Sequence, residues 1–149
     1  MHPEVVMAFD YGRQRIGLAI GQTATRTANA AGVIPAQGLP DWNAVRRQIR
    51  KWVPARLLVG IPYNMDGTET VLTAECLAFA ERLGEDFGLP VELIDERLTS
   101  AAASDELREA RRSGQMKRRV SHADIDSHAA RLILESWMRE QEHAPGSTV

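Results

Sequence analysis

Apolar residues fall along this chain in short runs, and the runs follow two different periods. Val5-Val6-Met7-Ala8-Phe9 is an unbroken apolar run closed by Asp10, the pattern of a buried strand. Tyr11-Gly12-Arg13-Gln14 reads as a turn, and Ile16-Gly17-Leu18-Ala19-Ile20 resumes as a second strand, so the pair predicts a hairpin. Its glycines point to a close backbone approach or a bulge. A weaker third strand is expected from about Thr27 to Ile34, stopped by Pro35. The period then changes. Pro40-Asp41 opens a helix with Asp41 as its cap, and Trp42, Val45, Ile49 and Trp52 recur at helical spacing until Pro54. Arg56-Leu57-Leu58-Val59-Gly60 has the composition of an interior parallel strand.

After a loop from Ile61 to Thr68, a helix is predicted from about Glu69 to Phe87, with Leu72, Cys76, Phe79, Leu83 and Phe87 on one side. Gly88 and Pro90 end it. Val91 to Asp95 is a further strand. Thr99 is placed to cap a helix to about Arg112, and a basic loop follows from Ser113 to Val120. A last helix is expected from near His122–Asp124 to about Glu142, with Ala129, Leu132, Ile133 and Trp137 inward. The order β-β-β-α-β-α-β-α-α joins an antiparallel trio to parallel βαβ units. That predicts an α/β protein with a mixed sheet and helices on its faces.

Composition narrows the class. A chain of 149 residues, 44% hydrophobic, fits one domain, expected over 1–142 with a frayed tail over 143–149. Charged residues at 26% argue against disorder. No internal repeat or low-complexity segment is present, and no apolar run approaches the ~20 residues that span a bilayer. Met1-His2-Pro3-Glu4 lacks the basic start of a secretory signal. With one cysteine, Cys76, set among apolar residues, the expectation is a cytoplasmic protein in a reducing compartment. A net charge of −2 neither favours nor excludes nucleic acid, so a local patch would have to meet the phosphates.

Carboxylates supply the candidate chemistry. Asp10 ends an apolar strand, where a charge is costly without a partner or a metal. Asp95 and Glu96 close another strand, at the carboxyl end where α/β sheets bind ligands. Alternation sends these two to opposite faces, so at most one belongs to a shared site. Asp124 and Asp126 lie in the first turn of the last helix. Each has a plainer reading as well: an Asx turn for Asp10, an ion pair with Arg97 for one of the strand-end acids, a favourable helix dipole for the last two. Brought together, such acids suit Mg²⁺ or Mn²⁺, which takes few carboxylates and activates water at phosphodiesters. No Cys/His set suggests zinc, and there is no phosphate-binding P-loop or Gly-x-Ser-x-Gly elbow.

Cations for a phosphate backbone are concentrated at Arg108, Arg111, Arg112, Lys117, Arg118 and Arg119, opposed only by Glu109. Arg15 follows the hairpin turn closely enough to serve a phosphate near Asp10. Asn64-Met65-Asp66-Gly67-Thr68 precedes a helix start that suits an anion, unless Thr68 or Asp66 simply caps that helix. Trp42, Trp52 and Trp137 sit at core spacing and read as packing.

Four blocks, in order over nearly the whole chain, resemble the YqgF/RuvX family of Holliday junction resolvase-like proteins, linked to maturation of the 5′ end of pre-16S ribosomal RNA. They are Ala8-Phe9-Asp10-Tyr11-Gly12 with Arg15-Ile16-Gly17-Leu18-Ala19; Val59-Gly60-Ile61-Pro62-Tyr63-Asn64-Met65-Asp66-Gly67-Thr68; Asp95-Glu96-Arg97-Leu98-Thr99; and Asp126-Ser127-His128-Ala129-Ala130 with Ile133-Leu134. The resemblance implies a ribonuclease-H-like fold with a five-stranded mixed sheet flanked by helices. It also implies a catalytic and metal-holding set of Asp10, Glu96 and Asp126. Taken with the cations and the loop above, the expected nucleic-acid contacts are Arg15, Asn64, Thr68, Arg97, Arg112, Lys117, Arg118 and Arg119. Related resolvases place a second acid three residues away on the last helix. Here those positions are Ala123 and Ala129, and Asp124 is out of step. The expected activity is hydrolysis of structured RNA, a ribosomal precursor, by a monomer or weak homodimer. Rival readings are a resolvase of DNA junctions, a non-catalytic RNA-binding factor for ribosome assembly or transcription, and an actin-like ATPase fragment, for which the chain is too short.

Overall fold

The computed structural model describes residues 3–98 and 122–143; for 98, 122–126 and 142–143 it describes the backbone only. Three strands come first: β1 (Val5–Asp10), β2 (Arg15–Gln22) and β3 (Thr27–Pro35). Helix α1 (Trp42–Trp52), β4 (Arg56–Ile61), α2 (Val71–Phe87) and β5 (Val91–Asp95) follow. A 3-10 turn spans Glu96–Leu98, and α3 runs His122–His143. The sheet order is β3-β2-β1-β4-β5. β1 is antiparallel to β2 and parallel to β4, so the hairpin half meets the βαβ half at β1. The helix expected from Thr99 to Arg112 and the basic loop after it lie outside the described residues.

The unbroken apolar run explains the central place of β1, because a strand covered on both faces must be apolar on both. Met7 and Phe9 pack with Val45, Ile49, Cys76, Phe79 and Leu83 of α1 and α2. Val6 and Ala8 face the other way, against Ala130, Ile133, Leu134 and Trp137 of α3. Ala130, not the expected Ala129, takes the fully buried position in that stripe.

Asp41 caps α1 as expected, accepting from the Ala44 amide at 3.1 Å. α2 begins later than expected. Its cap is Thr70, which accepts from the Thr73 amide while Thr73 bonds back to the Thr70 amide at 2.8 Å. Thr68 and Asp66, the caps the sequence suggested, are instead used inside the preceding loop. At the far end of the sheet Arg56 joins Glu4 and Glu92, and Trp137 donates to Glu92 at 3.0 Å, tying the starts of three strands to α3. Among the described residues no helix is long and apolar enough to cross a membrane.

Candidate functional site

Asp10 is the last residue of β1 and is half-buried. It pairs across the hairpin with Gly17 and lies one step beyond the Phe9–Val59 pair, level with Gly60 of β4. Strand alternation puts it on the side of Val6 and Ala8, facing α3. Glu96 follows β5 in step with Glu92 and Ile94, which also face α3. The two acids therefore share a face, at the carboxyl ends of strands on either side of β4.

Between them β4 carries Gly60. A Cβ there would lie 2.8 Å from Glu96 Oε1, 2.9 Å from its Cγ and 2.5 Å from Ile133 Cδ1. The missing side chain is the space that Glu96 occupies. A buried neighbour reports on both acids: the Cys76 thiol is pushed up to about 12, first by burial and then by the negative charges of Glu96, Asp10 and Glu75.

Asp95 is turned elsewhere. Its carboxylate takes the Arg97 guanidinium at 2.6 Å and the Arg97 amide at 2.9 Å, and these bonds hold its carboxyl below the usual range. Arg97 also reaches the Met65 carbonyl at 3.4 Å and lies over the Tyr63 ring, so it braces the loop before α2. In that loop Thr68 donates to Asp66 at 2.7 Å and accepts from Asn64 at 2.9 Å. Asn64 and Thr68 are exposed and bonded to each other.

Arg15 opens β2 beside a groove of about 420 Å³, lined by 12–15 of the hairpin turn and by Val71 and Leu72 of α2. The sequence reading passed over Arg13, which sits in the same turn and pairs with Glu75 at 2.8 Å. It also passed over Gly60, whose place level with Asp10 emerges only from the strand register.

Asp126 falls in the first turns of α3, four residues before the fully buried Ala130; its side chain lies outside the described residues. So do Arg112, Lys117, Arg118 and Arg119. Among the described side chains no three of His, Cys, Asp and Glu gather as a metal-holding group, and Asp10 and Glu96 are the part of the expected set that can be placed. Their donors are hard carboxylate oxygens, and the Cys76 thiol is buried and held protonated. That chemistry fits Mg²⁺ or Mn²⁺ and not a soft metal.

Comparison with known proteins adds a family. The model described as "RuvX: Holliday junction resolvase" matches residues 4–140. A Coxiella burnetii protein named "Putative pre-16S rRNA nuclease" is 44% identical over 140 residues, covering 93% of this chain and 95% of its own. A Saccharophagus degradans protein of the same name is 41% identical over 146 residues, covering 97% and 100%. Among solved structures, T. thermophilus RuvC in complex with a Holliday junction substrate aligns with TM-score 0.57 at 16% identity, over 94% of this chain and 96% of that one. The yeast mitochondrial Holliday junction resolvase aligns with TM-score 0.55 at 14% identity, over 93% and 80%. At these identities the likeness is one of fold, and the fold is ribonuclease-H-like.

Proposed function

The chain belongs to the RuvX family, and from that premise we propose that it is a metal-dependent nuclease that hydrolyses phosphodiester bonds in the precursor of 16S ribosomal RNA, in the cytoplasm. The observation that carries the reading is that Asp10 and Glu96 end strands on either side of β4 and share one face of the sheet, with Gly60 leaving room for the second. Asp10, Glu96 and Asp126 would hold Mg²⁺ or Mn²⁺. Such an ion activates water and stabilises the leaving oxygen of a phosphodiester. The protein's own part is positional. β1, clamped between two neighbours, fixes Asp10; β5 and the 3-10 turn deliver Glu96 across Gly60; α3 brings Asp126 from the other layer. Arg15 offsets the phosphate charge next to Asp10, while Arg13 in the same turn is held by Glu75. Arg112, Lys117, Arg118 and Arg119 would follow the backbone further out, and the exposed Asn64 and Thr68 offer hydrogen bonds to it. Arg97 acts mainly by bracing that loop, since Asp95 already engages its guanidinium.

Cleavage of end-labelled pre-16S RNA, free and within ribosomal particles, tests this in Mg²⁺ and in Mn²⁺ with Asp10→Asn as control. Cleavage by the wild type and none by the variant is expected; equal cleavage by both would sink the carboxylate site. The family's own description favours a second reading, cutting of four-way DNA junctions. A junction substrate run in the same assay decides between them. Symmetric paired cuts would also call for a dimer.

A further inference from the structure

The ladder between β2 and β3 loses register close to the carboxylates. Gly17 pairs with Val33, but Ala19 pairs with Ala30, so Leu18 is passed over together with Ala31 and Gly32. Such a bulge disturbs the ladder, and buried backbone groups beside it must find other partners. Gly32 takes a φ of +94° there, a backbone that a side chain would strain. The partner comes from the opposite layer. Ser127 of α3, only 8% exposed, accepts from the Gly32 amide at 3.2 Å and donates to the Leu18 carbonyl at 3.4 Å. One hydroxyl thus spans the irregularity in both directions.

Its location gives the contact a use. Leu18 is next to Gly17, and Gly17 is the cross-strand partner of Asp10. Ser127 directly follows Asp126 in the same helix. The hydroxyl therefore fastens the start of α3 one residue from the strand position opposite Asp10. We infer that Ser127 is a positioning residue that fixes the separation of Asp126 from Asp10, with the β2–β3 bulge as its socket. The inference rests on the reading above, in which those acids hold the metal.

The test is Mn²⁺ affinity of the intact protein without RNA, measured by electron paramagnetic resonance, beside the kinetics of cleavage. Ser127→Ala should weaken Mn²⁺ binding about 10-fold, the lower range for groups that orient metal ligands. It should reduce kcat and leave KM for RNA in place. Ser127→Cys keeps the shape with a weaker donor; it should lose less than Ser127→Ala, and it serves alone if the alanine variant does not fold. Ser136→Ala, at a buried serine further along the same helix, should leave Mn²⁺ affinity unchanged and so controls for a general loosening of α3. Wild-type Mn²⁺ affinity in the Ser127 variants, or an equal loss in Ser136→Ala, overturns the inference. Wild-type Mn²⁺ affinity in Asp126→Asn overturns the underlying reading instead, so the two failures are distinct.

Discussion

Replacing Gly60 by alanine separates the fold of this protein from its site. The added methyl would sit 2.5 Å from Ile133 Cδ1 and 2.8 Å from Glu96 Oε1. Carbon atoms rest at about 3.5–4.0 Å, so the Ile133 methyl must retreat by roughly 1 Å. Ile133 is fully buried, packed among Val6, Ala8 and Leu58, and its retreat compresses the layer between the sheet and α3. Overpacking of this kind costs about 1–3 kcal/mol. The Tm should fall by roughly 2–4 °C for each kcal/mol lost. Glu96 is half-buried and gives way more easily, so its carboxylate swings off Gly60 and out of position. A displacement near 1 Å at reacting groups costs about 100-fold in rate. Adding Ile133→Val removes the worse of the two contacts. The double variant should regain most of the lost stability and little of the activity, because Glu96 is still displaced. Gly84→Ala is the control: its Cβ would meet Val91 at an ordinary 3.6 Å, and alanine there should raise stability by about 0.4–1 kcal/mol. Thermal melts and single-turnover cleavage measure both sides. A folded Gly60→Ala protein with wild-type cleavage would show that Glu96 has no place in the chemistry.

Three other outcomes follow from the geometry. Mn²⁺ at ten times its Kd should stabilise the wild type by about 1.4 kcal/mol and leave Asp10→Asn unmoved, and equal thermal shifts would refute this. Cys76, buried and with its thiol pushed up to about 12, should resist aromatic disulfide reagents at neutral pH until the chain unfolds; prompt labelling of native protein would contradict it. Asp95 titrates below its unfolded value, so its pair with Arg97 stabilises fully above about pH 4 and is lost as pH falls through the folded value. The Tm gap between wild type and Asp95→Asn should be constant at neutral pH and close on acidification; a gap that widened in acid would be inconsistent.

The strands were legible because β1 and β4 are buried on both faces and write unbroken apolar runs, while α1 writes a helical stripe closed by Asp41 and Pro54. Alternation alone separated Asp95 from Glu96, and in the structure Asp95 turns to Arg97 while Glu96 lies over Gly60. The start of α2 was less legible, since Asp66, Thr68 and Thr70 are all good caps and only the reciprocal bond from Thr73 selects the last. Gly60 and Ser127 were hidden for a different reason. Each matters through what lies across a strand or a layer from it, and no local pattern records that register. Both residues stand inside the blocks that carry the family resemblance, and Ser127 is also a small polar residue at an inward helical position before Ala130. The ion pair of Arg97 with a strand-end acid was also open to the sequence, and the structure gives it to Asp95.

The strand order sets how the proposed site would come apart. Asp10 hangs from β1, which has a hydrogen-bonded neighbour on each side, whereas among the described residues β5, which delivers Glu96, has β4 alone. Edge elements open at lower free energy than central ones. Fraying of β5 would carry Glu96 away while Asp10, the hairpin and most of the core stayed in place. Molecules folded by every global measure would then lack half of the carboxylate pair. The competence of the site is thus set by the opening equilibrium of one outer strand, separately from the stability of the whole domain.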